Sequence, residues 1–169
     1  MTSPMLDGAT SIFTNDEVRD LSSATGTLRD GREEILKDWV DRVRDNRAVR
    51  ADDALPDPVL LDHIPHLFDA ILDRLEIGRP RDDAEHMASV HGFMRRLDGY
   101  NAAETVAELL MFRRAIWSHL TAVGARIDAA YTAMEQIDGM VDRAILSSLQ
   151  AFLDPHAQLL ERAVDRPGT

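Results

Sequence analysis

His91 to Arg113, HGFMRRLDGYNAAETVAELLMFR, is the stretch that decides the fold. It holds the end of one helix, a glycine stop, a fresh helix start and charged residues in apolar surroundings. Before the stop, Ala84, Met87, Ala88, Val90, His91, Met94, Arg95 and Leu97 fall on one helical face, in a helix opened by Asp82 or Asp83. Gly99 suits the position just past a helix end, where positive φ carries no Cβ strain. Asn101 with Glu104 makes an asparagine version of a capping box. The next helix carries Val106, Leu109, Leu110, Arg113, Ile116, Trp117 and Leu120 inward and runs to about Val123. A tight Gly-Tyr-Asn turn makes the two helices roughly antiparallel and brings residues 91–95 towards 104–113.

His91 and Arg95, four apart, share the apolar face. A buried arginine needs an acceptor, because an unpaired buried charge costs about 3–5 kcal/mol. Glu108 on the second helix is the candidate. We therefore expect a polar seam of His91, Arg95, Tyr100, Glu108 and Arg113. It reads either as a buried ion network that fixes helix packing or as a small-molecule or ion pocket.

Working outward, residues 1–14 mix Ser, Thr, Gly, Pro and Asp and read as a flexible arm. A short helix over Asp16–Ser23 follows, with Gly26 and Gly31 weakening the pattern. Leu28, Ile35, Leu36, Trp39, Val40 and Val43 predict a helix from Thr27 to about Asn46. Asp57-Pro58 opens another, as a capping carboxylate with proline at the first helical position. Pro65 should kink or split it. After Gly124, a last long helix places Ile127, Tyr131, Met134, Ile137, Val141 and Ile145 on an approximate heptad, which reads as a dimer seam or output helix. Residues 154–169 predict a short helix and a tail. The reading is one helical domain over 15–153: all-α, with the size and helix count of a globin-like bundle of about six to eight helices, and no sheet.

The chain of 169 residues is long enough for one core, since a domain near that size buries roughly 70% of its unfolded surface. A formal charge of -11 argues against nucleic acid and anionic membrane partners. No apolar run approaches the roughly 18 residues that would span a bilayer. The N-terminus has neither the basic nor the apolar region of a signal peptide. The lack of cysteine excludes disulfides and suits a cytoplasmic location.

Catalysis has little to build on. There is no cysteine, no GxSxG and no phosphate-binding loop after a strand, so the expectation is no enzyme and no cofactor. Two alternatives involve a bound group. His63 and His66, three apart, start a transition-metal site that His91 and Glu108 would have to complete, without any HExxH pattern. Haem would use His91, but aromatics are only 5% of the chain and Arg95 lies one turn away. His86, His119 and His156 read as surface or rim residues.

HGFMRRLDGY followed by VAELLMFRRAI resembles the N-terminal sensor domain of the RsbR/RsbRD type, found in stressosome proteins and ahead of some bacterial sensor histidine kinases. The matching positions are His91, Arg95, Gly99-Tyr100, Val106, Glu108 and Phe112-Arg113. ILKDWVDRVR and LLDHIPHLFDAI look like that family's first helices, and AVGARIDAAYTAMEQIDGMVDRAI like its closing ones, so the resemblance covers roughly residues 27–150. Phe112 replaces the usual leucine, and Leu109 stands where an aromatic is common. The resemblance implies a non-haem, globin-like, homodimeric signal-input module that precedes an output domain or acts on a partner protein. A purely structural interaction module is the third reading.

Overall fold

The computed structural model describes residues 14–50, 55–77, 83–124 and 127–154. Among these the chain is all-α, with seven helices and no strand: α1 (Asn15–Asp30), α2 (Arg32–Asp45), α3 (Asp57–Leu61), α4 (Ile64–Ile77), α5 (Asp83–Leu97), α6 (Ala102–Ala122) and α7 (Ile127–Leu153). Helix α7 is the spine, flanked by α5, α6 and α1. Helix α2 lies on α6, and α4 closes the bundle against α1 and α5. The arm expected at 1–14 lies outside the described residues except for Thr14, and so does the short helix expected after Asp154.

Helix α1 corrects the sequence reading. It continues through Gly26 to Asp30, well beyond Ser23. A glycine inside a helix costs about 1 kcal/mol relative to alanine. Burying Leu21 and Leu28 on the inner face returns roughly 1.5–3 kcal/mol each. The break falls at Gly31 instead, so Leu28 belongs to α1 and the second helix starts at Arg32. A Cβ on Gly31 would come within 1.9 Å of the His119 ring. The α1–α2 corner therefore sits directly on α6, and His119, 11% exposed, is a packing residue and not the rim residue expected.

Pro65 splits its helix as expected. Helices α3 and α4 meet at Asp62-His63, with Pro65 the second residue of α4, where a missing N–H is tolerated. Asp57 does not cap α3. Its N-cap is Pro56, and the Asp57 carboxylate instead accepts from Arg44 at 2.9 Å. Surface ion pairs stitch α4 to its neighbours: Arg29 donates to Asp73 and Glu76, and Arg32 to both oxygens of Asp69.

One close contact fixes α5 on α7. A Cβ on Gly92 would lie 1.9 Å from the Ser148 carbonyl, so α5 touches the α7 backbone there. The inner stripe of α6 is Glu104, Thr105, Glu108, Leu109, Phe112, Ala115, Ile116 and Leu120. It is rotated from the expected face: Trp117 is 41% exposed, whereas Phe112 is buried edge-on to Phe68. Among the described residues, no helix is long and apolar enough to cross a membrane.

Candidate functional site

The turn that positions the site forms as its residues dictate. Gly99 has φ +87, and the Tyr100 and Gly99 N–H groups donate back to the Arg95 and Arg96 carbonyls, a Schellman stop. Asn101 and Glu104 then cap α6 reciprocally, at 3.0 and 2.8 Å. The second oxygen of Glu104 accepts the Arg50 N–H, which ties the segment after α2 to the start of α6.

This reversal lays Arg95 of α5 against Glu108 of α6. Arg95 is 1% exposed and Glu108 is 0%. Arg95 Nε donates to Glu108 Oε2 at 2.7 Å, and the Tyr100 hydroxyl donates to Glu108 Oε1 at 3.0 Å. His91 Nε2 lies 3.3 Å from the same Oε2. The rest of the guanidinium reaches α3: Nη1 donates to the Val59 carbonyl at 3.3 Å and Nη2 to the Leu60 carbonyl at 2.5 Å. Nη1 also meets Asp98 at 3.1 Å, and the guanidinium lies over the Tyr100 ring. Trp39 of α2, which the sequence offered only as core, donates its indole N–H to the Glu108 backbone carbonyl at 3.0 Å. One buried carboxylate residue thus joins α2, α5 and α6, and its arginine partner adds α3.

Electrostatics keep both groups charged. Burial pushes the Glu108 carboxyl up, but the contacts with His91 and Arg95 outweigh it and hold it below the usual range. Burial also opposes the Arg95 charge, and Glu108 more than offsets this, so the guanidinium is held above its ordinary value.

Four of the five expected seam residues come together: His91, Arg95, Tyr100 and Glu108. Arg113 does not join them. It points to α7 and pairs with Asp142 at 3.1 Å and Asp138 at 3.8 Å. The alternative metal set does not assemble either, since His66 is exposed while His91 is buried. Among the described residues, no three His, Asp or Glu side chains form a metal-ligating group. Of the expected dimer seam, Met134, Ile137 and Val141 are in the chain's own core and Ile145 is partly buried. Ile127 and Tyr131 are exposed, at 85% and 68%.

A separate open cleft of about 570 Å³ lies between α6 and α7, lined by Arg113, Arg114, Trp117, Tyr131, Met134, Glu135 and Asp138. The rotated α6 stripe that puts Trp117 outside produces it. A helix of mixed polarity gives no sequence signal for which of two apolar faces will be left open.

Residues 33–166 match the family model described as the RsbT co-antagonist protein rsbRD N-terminal domain. The chain belongs to this family. No curated protein and no solved structure matches it. The rsbRD N-terminal domain is a regulatory sensor domain of the stressosome type. Of the positions that carried the resemblance, His91, Arg95, Tyr100 and Glu108 build the buried network, while Arg113 pairs with α7 instead.

Proposed function

We propose that the chain is a non-enzymatic, cytoplasmic signal-input module that works as a homodimer and passes its state to an output domain or partner protein, of the sensor histidine kinase or stressosome type. The observation that carries this reading is the Arg95–Glu108 pair. A buried ion pair of this kind adds little net stability, because desolvation offsets most of the attraction, but it penalises every arrangement that separates the partners. It therefore suits a module whose helices must hold one relative placement until a signal changes it. Glu108 is enclosed, and its two oxygens already accept from Arg95 and Tyr100, with His91 Nε2 at 3.3 Å, so this carboxylate is not open to a substrate for acid–base work.

The reading includes no haem and no metal. His91 turns Nε2 to Glu108, and Arg95 follows one turn later, which opposes an apolar porphyrin at that position. Protein purified from its own host should show no Soret band and no stoichiometric metal.

The face proposed for the second copy is the exposed α6–α7 surface around Trp117, Ile127 and Tyr131, in place of the buried half of the expected seam. It is self-complementary in charge. Arg114 donates to the Met111 sulfur at 3.8 Å and lines the cleft together with exposed Glu135. A two-fold contact brings each copy's Arg114 to the other's Glu135. Sedimentation velocity tests this: the wild type should run as a dimer and Tyr131→Glu as a folded monomer. A monomeric wild type at tens of micromolar (on the order of ordinary signalling-module affinities) would contradict the dimer.

A further inference from the structure

Helix α3 is a short piece held at both ends by arginines. Arg44 reaches the Leu55 carbonyl and the Asp57 carboxylate at its start. Arg95 takes the Val59 and Leu60 carbonyls near its end. The next residues, Asp62 and His63, form the joint with α4. His63 Nε2 is buried and makes no hydrogen bond among the described residues. Asp62 Oδ2 is 3.0 Å away, at ion-pair distance but without hydrogen-bond geometry. An unsatisfied buried nitrogen costs about 1–3 kcal/mol. Both ring nitrogens of the neighbouring His91 are buried without a hydrogen bond as well, but His91 lies within α5 at 1% exposure, whereas His63, at 20%, sits at the joint between two helices and can swing outward.

We propose that the α3–α4 joint is a proton-operated flap, in which protonation of the His63 ring drives it out to solvent and loosens α3 from the Arg95 latch. The groups that face His63 are Asp62 on the joint itself, His66 on α4, and His91 and Arg95 on α5. Asp62 favours the added charge. Burial, Arg95 and the two other histidines oppose it, and together they hold the ring below its ordinary value of 6.5. The closed flap therefore binds fewer protons than the open one. Its stability is fully present above the ordinary histidine range and declines as the pH falls through and below it. The open ring and the freed Val59 and Leu60 carbonyls are then available to water, and Arg95 keeps Glu108 and Asp98 as partners.

The flap deepens the sensory reading by naming a proton as one input, but its test does not depend on dimerisation or on any output partner. Amide protection factors, corrected for intrinsic exchange, are measured by NMR on the full chain at pH 7.5 and 5.5. The amides of Val59, Leu60 and Asp62, which donate within α3, should lose protection by up to about tenfold on acidification, while those of α6 stay nearly constant. His63→Gln, which cannot be protonated, should abolish the difference, and a matching α6 pattern shows that it folds. Equal pH response in His63→Gln, or a flat wild type, overturns the proposal. Sedimentation at the same two pH values separates loss of the flap from loss of the dimer.

Discussion

Arg95 and Arg113 lie in one motif on adjacent helices, and both pair with carboxylates on a neighbouring helix, yet their surroundings are opposite. Arg95 is 1% exposed and its partner Glu108 0%; Arg113 is 31% exposed and Asp142 64%. Water competes for the second pair and salt screens it, so exposed pairs of this kind contribute about 0–1 kcal/mol. Water does not reach the first, and removing either partner leaves a buried charge that has lost its buried counter-charge. The lesson is that burial, more than distance, decides which ion pair constrains the fold.

Predictions can break or sharpen that contrast. The largest effect is expected for Glu108→Ala, which takes from buried Arg95 its one fully buried carboxylate, leaving part-exposed Asp98 and two backbone carbonyls, and should cost about 3–5 kcal/mol in urea unfolding. Gly92→Ala should follow, at about 1–3 kcal/mol or more, because the new Cβ meets the Ser148 carbonyl and α5 must move away from α7. Trp39→Phe should cost roughly 1–3 kcal/mol, since the Glu108 carbonyl loses its buried donor while the ring volume is partly kept. Arg113→Ala should cost no more than about 1 kcal/mol by the same assay.

Acid should act on the buried side of the contrast as well. Glu108 is held below its ordinary value of 4.5, so its contribution is fully present above that pH and is lost as the pH falls through the lower folded value. His63 acts in the same direction at higher pH. Unfolding free energy measured from pH 7.5 downward should therefore fall in two stages, and His63→Gln should remove only the first.

Much of the site was legible from the residues because the decisive signals are local. Gly99 supplies a backbone conformation that few residues adopt, Asn101 and Glu104 cap each other, and the reversal between them makes Arg95 and Glu108 neighbours. Arg113 was misplaced for a geometric reason: five residues beyond Glu108 turn a helix by roughly 140° net, which carries the side chain to α7. Phe112, four residues on, stays on the buried face. The run of α1 through Gly26 was not legible, because packing of Leu21 and Leu28 on other helices outweighs the local cost of glycine. The close seats of Gly31 on His119 and of Gly92 on Ser148 depend on residues distant in sequence. On α7 an apolar repeat reports burial without saying whether the neighbour is the same chain or another. Met134, Ile137 and Val141 meet the same chain.

The most direct test is a pair of double-mutant cycles in one urea series, Arg95/Glu108 against Arg113/Asp142. The buried pair should show a coupling of roughly 2–3 kcal/mol and the exposed pair less than about 0.5 kcal/mol. Equal couplings would contradict the claim that the buried network is what locks α3, α5 and α6 together.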